Sequence, residues 1–126
     1  MIRRILFLFV FQIIGLCLFA QEPHRFEKEV KELIAGDSLV NNKKLILFTG
    51  SSSIRMWKDL KTDFPEYNVL NRGFGGSDMT DLLYYAKPLI SKYKPVKVFI
   101  YEGDNDVNAG KTPEQILAEA DKLLTL

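Results

Sequence analysis

Short apolar runs alternate with stretches whose apolar residues recur every three or four positions, and this alternation lays out the chain. Glu22 to Ala35 sets Phe26, Val30, Leu33 and Ile34 on one stripe, which predicts a helix with its stop at Gly36. Asp37 to Lys44 is polar and reads as a connection. Lys44 to Thr49 predicts a first strand through Leu45, Ile46, Leu47 and Phe48. Ile54 to Phe64 carries Ile54, Trp57, Leu60 and Phe64 at helical spacing, with Pro65 at its end. Tyr67 to Asn71 predicts a second strand. Ser77 is the expected N-cap of a helix burying Met79, Leu82, Leu83 and Ala86, which Pro88 should kink or end early. Val96 to Tyr101 predicts a third strand. Thr112, Pro113 and Gln115 make a capping-box start with proline at the first helical position, and Ile116, Leu117, Ala120, Leu123 and Leu124 follow.

Strands alternating with helices predict an α/β fold on a parallel sheet. Right-handed crossovers put helices on both faces wherever the strand order reverses, so a flavodoxin-like three-layer α/β/α arrangement is expected. Only three strands are legible. A sheet of three leaves its last strand as an exposed apolar edge, which natural proteins avoid, so the expectation is an incomplete domain.

Residues 1–20 read differently. Arg3 and Arg4 precede an apolar run from Ile5 to Ala20 that only Gln12 and Gly15 interrupt, the pattern of a secretory signal peptide cleaved after Ala20. Leu18, three residues before the cut, is larger than the preferred small residue. An uncleaved membrane anchor is the second reading, because the run is nearly long enough to span a bilayer. Cys17 follows Leu16 where a lipoprotein signal needs a small residue, so it reads as one more apolar residue of the leader. The expected layout is a leader at 1–20, a helix and connection at 21–43, and a catalytic-type domain portion at 44–126. Export to the periplasm or the exterior would bring no disulfides, since Cys17 is the chain's single cysteine. A net charge of +1 with acids and bases interspersed gives nothing for nucleic acid to bind.

Three small motifs sit at the predicted carboxyl ends of the strands: GSSSIR from Gly50, NRGFGGS from Asn71 and GDND from Gly103. Open parallel sheets bind ligands at those ends, so the motifs should meet. Ser51, Ser52 and Ser53 fill the first turn, where a hydroxyl and a helix-end N–H favour developing negative charge; the plainer reading is that they cap a helix. Gly73, Gly75 and Gly76 let the backbone approach a ligand closely, or serve a tight turn. Asp78 stands where the dinucleotide fingerprint needs glycine, and no Gly-Lys-Ser/Thr follows Gly50, which excludes Rossmann and phosphate-loop chemistry. Asp104, Asp106 and Asn108 alternate as in a calcium loop, but Ala109 and Gln115 occupy the positions that need glycine and glutamate. No metal or organic cofactor is expected. Arg55 and Arg72 flank the motifs, as anion ligands or as partners of acids such as Asp59 or Asp78.

Taken together, the motifs resemble the SGNH (GDSL-like) hydrolase superfamily, in particular its platelet-activating-factor acetylhydrolase-like and carbohydrate-esterase-like members. Gly50, Ser51 and Ser52 match the first block with serine in place of its aspartate. Trp57 falls where many members carry an aromatic residue. Asn71, Gly73 and Gly76 match the second block, and Gly103, Asn105 and Asp106 the third, over roughly residues 44 to 125. The resemblance implies that Ser52 is the nucleophile. It also implies an oxyanion hole formed by the N–H of Ser52, the N–H of Gly76 and the side-chain amide of Asn105. The implied activity is hydrolysis of a small-molecule ester, on an acylated carbohydrate or lipid, through an acyl-enzyme. The family's aspartate three residues before a histidine has no counterpart here, and His24 lies outside the matched region. The chain alone is therefore expected to be a very poor esterase. Two other readings stay open: a non-catalytic relative that binds an acylated sugar or lipid, and a flavodoxin-like binder of a phosphate ligand.

Overall fold

The structure is a computed structural model and describes residues 25–126. The leader, its cleavage after Ala20, Cys17, His24 and the first residues of the predicted N-terminal helix lie outside the described residues.

Eight residues, Glu27–Ile34, form α1, followed by a 3₁₀ turn at Asp37–Leu39. Then come β1 (Ile46–Gly50), α2 (Ser52–Arg55), α3 (Leu60–Asp63), β2 (Val69–Gly73) and α4 (Met79–Leu89). A second 3₁₀ turn at Ser91–Tyr93 leads to β3 (Lys97–Tyr101), α5 (Asp104–Asn108) and α6 (Pro113–Leu124). The strands form one parallel sheet in the order β2-β1-β3. The fold is thus the expected α/β class. Because β1 is central, the chain leaves it toward β2 and later returns to its other side, which makes the carboxyl ends of β1 and β3 a switch point.

Alternation along β1 sends its side chains to two cores. On one face Phe48 packs with Ile54, Leu60 and Val69 under α2 and α3, edged by Trp57 and Phe64. On the other, Leu45 and Leu47 meet Tyr93, Leu70 and Val98. That side also carries the largest core, where Val30 of α1, Leu82 and Leu89 of α4 and Leu123 of α6 close around Phe74. Leu47, Phe74, Leu82 and Leu89 have no exposed surface, and each such burial stabilises the fold by about 2 kcal/mol.

Four local expectations change. Residues 54–64 form two short helices instead of one, because the side-chain amide of Asn71 takes the carbonyls of Ile54 (2.6 Å) and Trp57 (3.2 Å). Asp78, not Ser77, caps α4: its carboxylate accepts the Asp81 N–H while the Asp81 carboxylate accepts the Asp78 N–H. Pro88 does not end α4 ahead of itself, since the helix runs through it to Leu89. The GDND motif itself winds into α5. By contrast, the Thr112–Gln115 capping box with Pro113 forms as its sequence predicts. Among the described residues no strand pairs with the outer edge of β3, and Phe99 is 45% and Tyr101 49% exposed.

Candidate active site

Main-chain contacts draw the three motifs together. Gly50 ends β1 at φ 123°, in register with Gly73 on one side and Tyr101 on the other. A Cβ there would fall 1.9 Å from the Tyr101 carbonyl oxygen, so only glycine lets β1 and β3 close at this point. The Ser51 N–H then donates to the same Tyr101 oxygen (3.0 Å), and the Phe74 N–H donates to the Gly50 oxygen (3.0 Å). The first motif is thereby tied to the second and to the end of β3, two residues before the third. Gly73 serves the same end: a Cβ on it would lie 2.4 Å from the Arg55 nitrogen of α2. Asn71 locks the turn, donating to the Ile54 carbonyl of α2 and the Trp57 carbonyl just beyond it while its oxygen accepts the Gly73 N–H at 2.9 Å.

Ser52 opens α2, half-buried, at the carboxyl end of β1. Ser51 before it is fully buried with its hydroxyl unpaired, and Ser53 is exposed. The second and third motifs meet at Asn105, whose Nδ2 donates to the Ser77 carbonyl at 2.8 Å. A Cβ placed on Gly76 would sit 3.9 Å from that nitrogen. A primary amide has two N–H groups, so Asn105 keeps one for a ligand. The Ser52 and Gly76 N–H groups take no backbone partner among the described residues. Three donors are therefore left uncommitted at the ends of adjacent units, the equipment for holding a developing oxyanion.

Asp106 plays a supporting part. Completely buried, it accepts the Met79 N–H through both oxygens (3.2 and 2.9 Å) and the Lys111 ammonium at 2.7 Å. It thus pins the start of α4 to α5. Burial works against the Lys111 charge, but its bonds to Asp106 and Glu119 outweigh that and hold its pKa above the ordinary lysine value.

The two arginines pair elsewhere than expected. Arg72 is buried and binds Asp37 (2.6 Å) and the Tyr93 hydroxyl (2.9 Å), while Arg55 lies 3.5 Å from Glu29. Neither touches Asp59 or Asp78, because helix α1 and the turn after it bring nearer acids to them.

Sequence reasoning passed over Glu102 and gave Ser77 a different role. The Ser77 hydroxyl donates to Glu102 Oε2 at 3.0 Å, and Oε1 of Glu102 is buried without a partner. Burial first, and then the nearby Asp106, Asp104 and Asp78, push the Glu102 carboxyl up to about 8 against the opposing Ser77 bond. The available signal was an acid immediately after the apolar run of β3, in a position that should continue the sheet core. Comparison with protein-family models and with curated proteins gives no match to this chain.

Proposed function

We propose that the chain carries the nucleophile and oxyanion pocket of an SGNH-type ester hydrolase, exported and acting on a small-molecule ester such as an acylated sugar or lipid. Ser52 attacks the carbonyl carbon, and the Ser52 N–H, the Gly76 N–H and the Asn105 amide take the charge that develops on oxygen. What supports this reading is a half-buried serine at the switch point, with uncommitted donors at Ser52, Gly76 and Asn105 on the ends of neighbouring units. Donors already in place need no reorganisation as charge forms, which is where such sites gain most of their rate.

A serine hydroxyl needs a base to take its proton. Residues 25–126 contain no histidine, and this favours a second reading, binding of the acyl group without turnover. Chemical rescue separates the two. Treatment with p-nitrophenyl acetate and imidazole, followed by peptide mass spectrometry, should show acetyl groups accumulating on Ser52 in preference to Ser51 and Ser53. Accumulation is expected because no positioned base then deacylates the enzyme. Without imidazole, turnover should differ little between this chain and Ser52→Ala. A Ser52 that stays unmodified with imidazole present overturns the esterase reading.

A further inference from the structure

Glu102 stands between β3 and the Gly103 turn, where φ is 110°. Its Oε2 accepts the Ser77 hydroxyl, and the Ser77 carbonyl accepts the Asn105 amide. Glu102 and Asn105 are three residues apart, so covalent and hydrogen bonds close a ring through Ser77, Asn105, Asp104, Gly103 and back to Glu102. Gly76, immediately before Ser77, and the Asn105 amide both hang on that ring. The remaining carboxyl oxygen, Oε1, and the Ser51 hydroxyl are each buried without a partner. In the register that pairs Gly50 with Tyr101, Ser51 and Glu102 are the next positions on neighbouring strands.

We propose that Glu102 is a positioning residue of the oxyanion pocket, holding Ser77 and, through Ser77, the Gly76 N–H and the Asn105 amide beside Ser52. The assignment rests on the esterase reading for what the pocket binds. A neutral carboxylic acid suits this role, because it accepts from Ser77 on one oxygen and carries its proton on the other. Ionisation removes that proton and puts a negative charge beside a pocket built for an anion. The groups facing Glu102 keep it neutral. Asp78 lies at the start of α4, and Asp104 and Asp106 in α5. Lys111, the nearby cation, is already held by Asp106 and Glu119 and lies 3.8 Å from Asp78. Arg25 is taken by Asp81 and sits 3.6 Å from Asp78. Burial and these carboxylates together place the Glu102 titration at about 8.

The side-chain amide signals of Asn105 in ¹⁵N-labelled protein, identified by their loss in Asn105→Asp, report on the ring directly. Followed from about pH 6 to about pH 9.5, they should titrate with a midpoint near 8 in the wild type. In Glu102→Gln they should hold the wild-type low-pH position and not titrate. The rate of imidazole-dependent acetylation of Ser52, taken as the ratio of Glu102→Gln to wild type, should rise several-fold between neutral pH and the alkaline end. An Asn105 amide that does not titrate in the wild type, or titrates equally in Glu102→Gln, overturns the proposal, and the wild-type titration itself does not depend on Glu102→Gln folding. A titrating Asn105 beside a Ser52 that never acetylates leaves Glu102 as the positioning residue and removes the esterase reading instead.

Discussion

Two buried polar clusters lie on this small sheet, and they are built in opposite ways. Around Arg72, every charge is met: Asp37 receives the guanidinium and the Tyr93 hydroxyl through one oxygen and pairs with Lys92 through the other. Burial, reinforced by Asp37, pushes Tyr93 up to about 12, while bonds from Lys92, Tyr93 and Arg72 overcome burial to hold Asp37 below its ordinary value. Around Ser51, Ser77, Glu102 and Asn105, two buried oxygens and several N–H donors remain uncommitted. Buried polar groups are normally satisfied, and exceptions concentrate where function needs them. The first cluster fastens the turn before β1 and the turn before β3 to β2. The second keeps its bonding capacity for something else.

The contrast breaks most strongly at the fastened cluster. Arg72→Met leaves Asp37 without its buried partner and should cost about 3–5 kcal/mol, read as a lowered midpoint in urea unfolding. A smaller effect comes from pH, which should move the clusters in opposite directions. Glu102 has a raised folded-state pKa, so its contribution is complete below the unfolded value near 4.5 and is lost as pH rises through about 8. Allowing for partial solvent exposure, this is about 2 kcal/mol between the two ends of that window, and Glu102→Gln should flatten it in urea unfolding. Asp37 works the other way: its contribution is present above 3.8 and disappears as pH falls through its depressed pKa. The smallest expected change is in the open cluster. Asn105→Ala gives up one neutral hydrogen bond and should lower stability by only about 1 kcal/mol. A loss as large as that of Arg72→Met would show that the open cluster is structural after all.

What could be read in the sequence follows the range of each interaction. The Thr112–Gln115 capping box spans three residues and its helix forms as expected. The alternating pattern marked three strands and the apolar outer edge of β3, because both depend on burial along one segment. The split of residues 54–64 was not legible, since its cause, the Asn71 amide, arrives from 17 residues away. Ser77 looked like a cap for the same reason: its partner Glu102 is 25 residues further on, while Asp78, one residue nearer the helix, finds Asp81 locally. Of the site, the three motifs stood out because they end strands, and only the resemblance to SGNH hydrolases singled out Ser52, Gly76 and Asn105 within them. The structure brings Gly76 and Asn105 together and sets Ser52 at the end of the strand between their units.

The closure at Gly50 separates frame from chemistry. The joints there run from main chain to main chain: Ser51 N–H to Tyr101, Phe74 N–H to Gly50, with no side chain between the strand ends. Residues around such a joint can exchange one side chain for another without moving the loops that bear them. Side chains at the strand ends can thus change on a scaffold whose geometry is held by peptide groups common to every residue, provided that Gly50 stays.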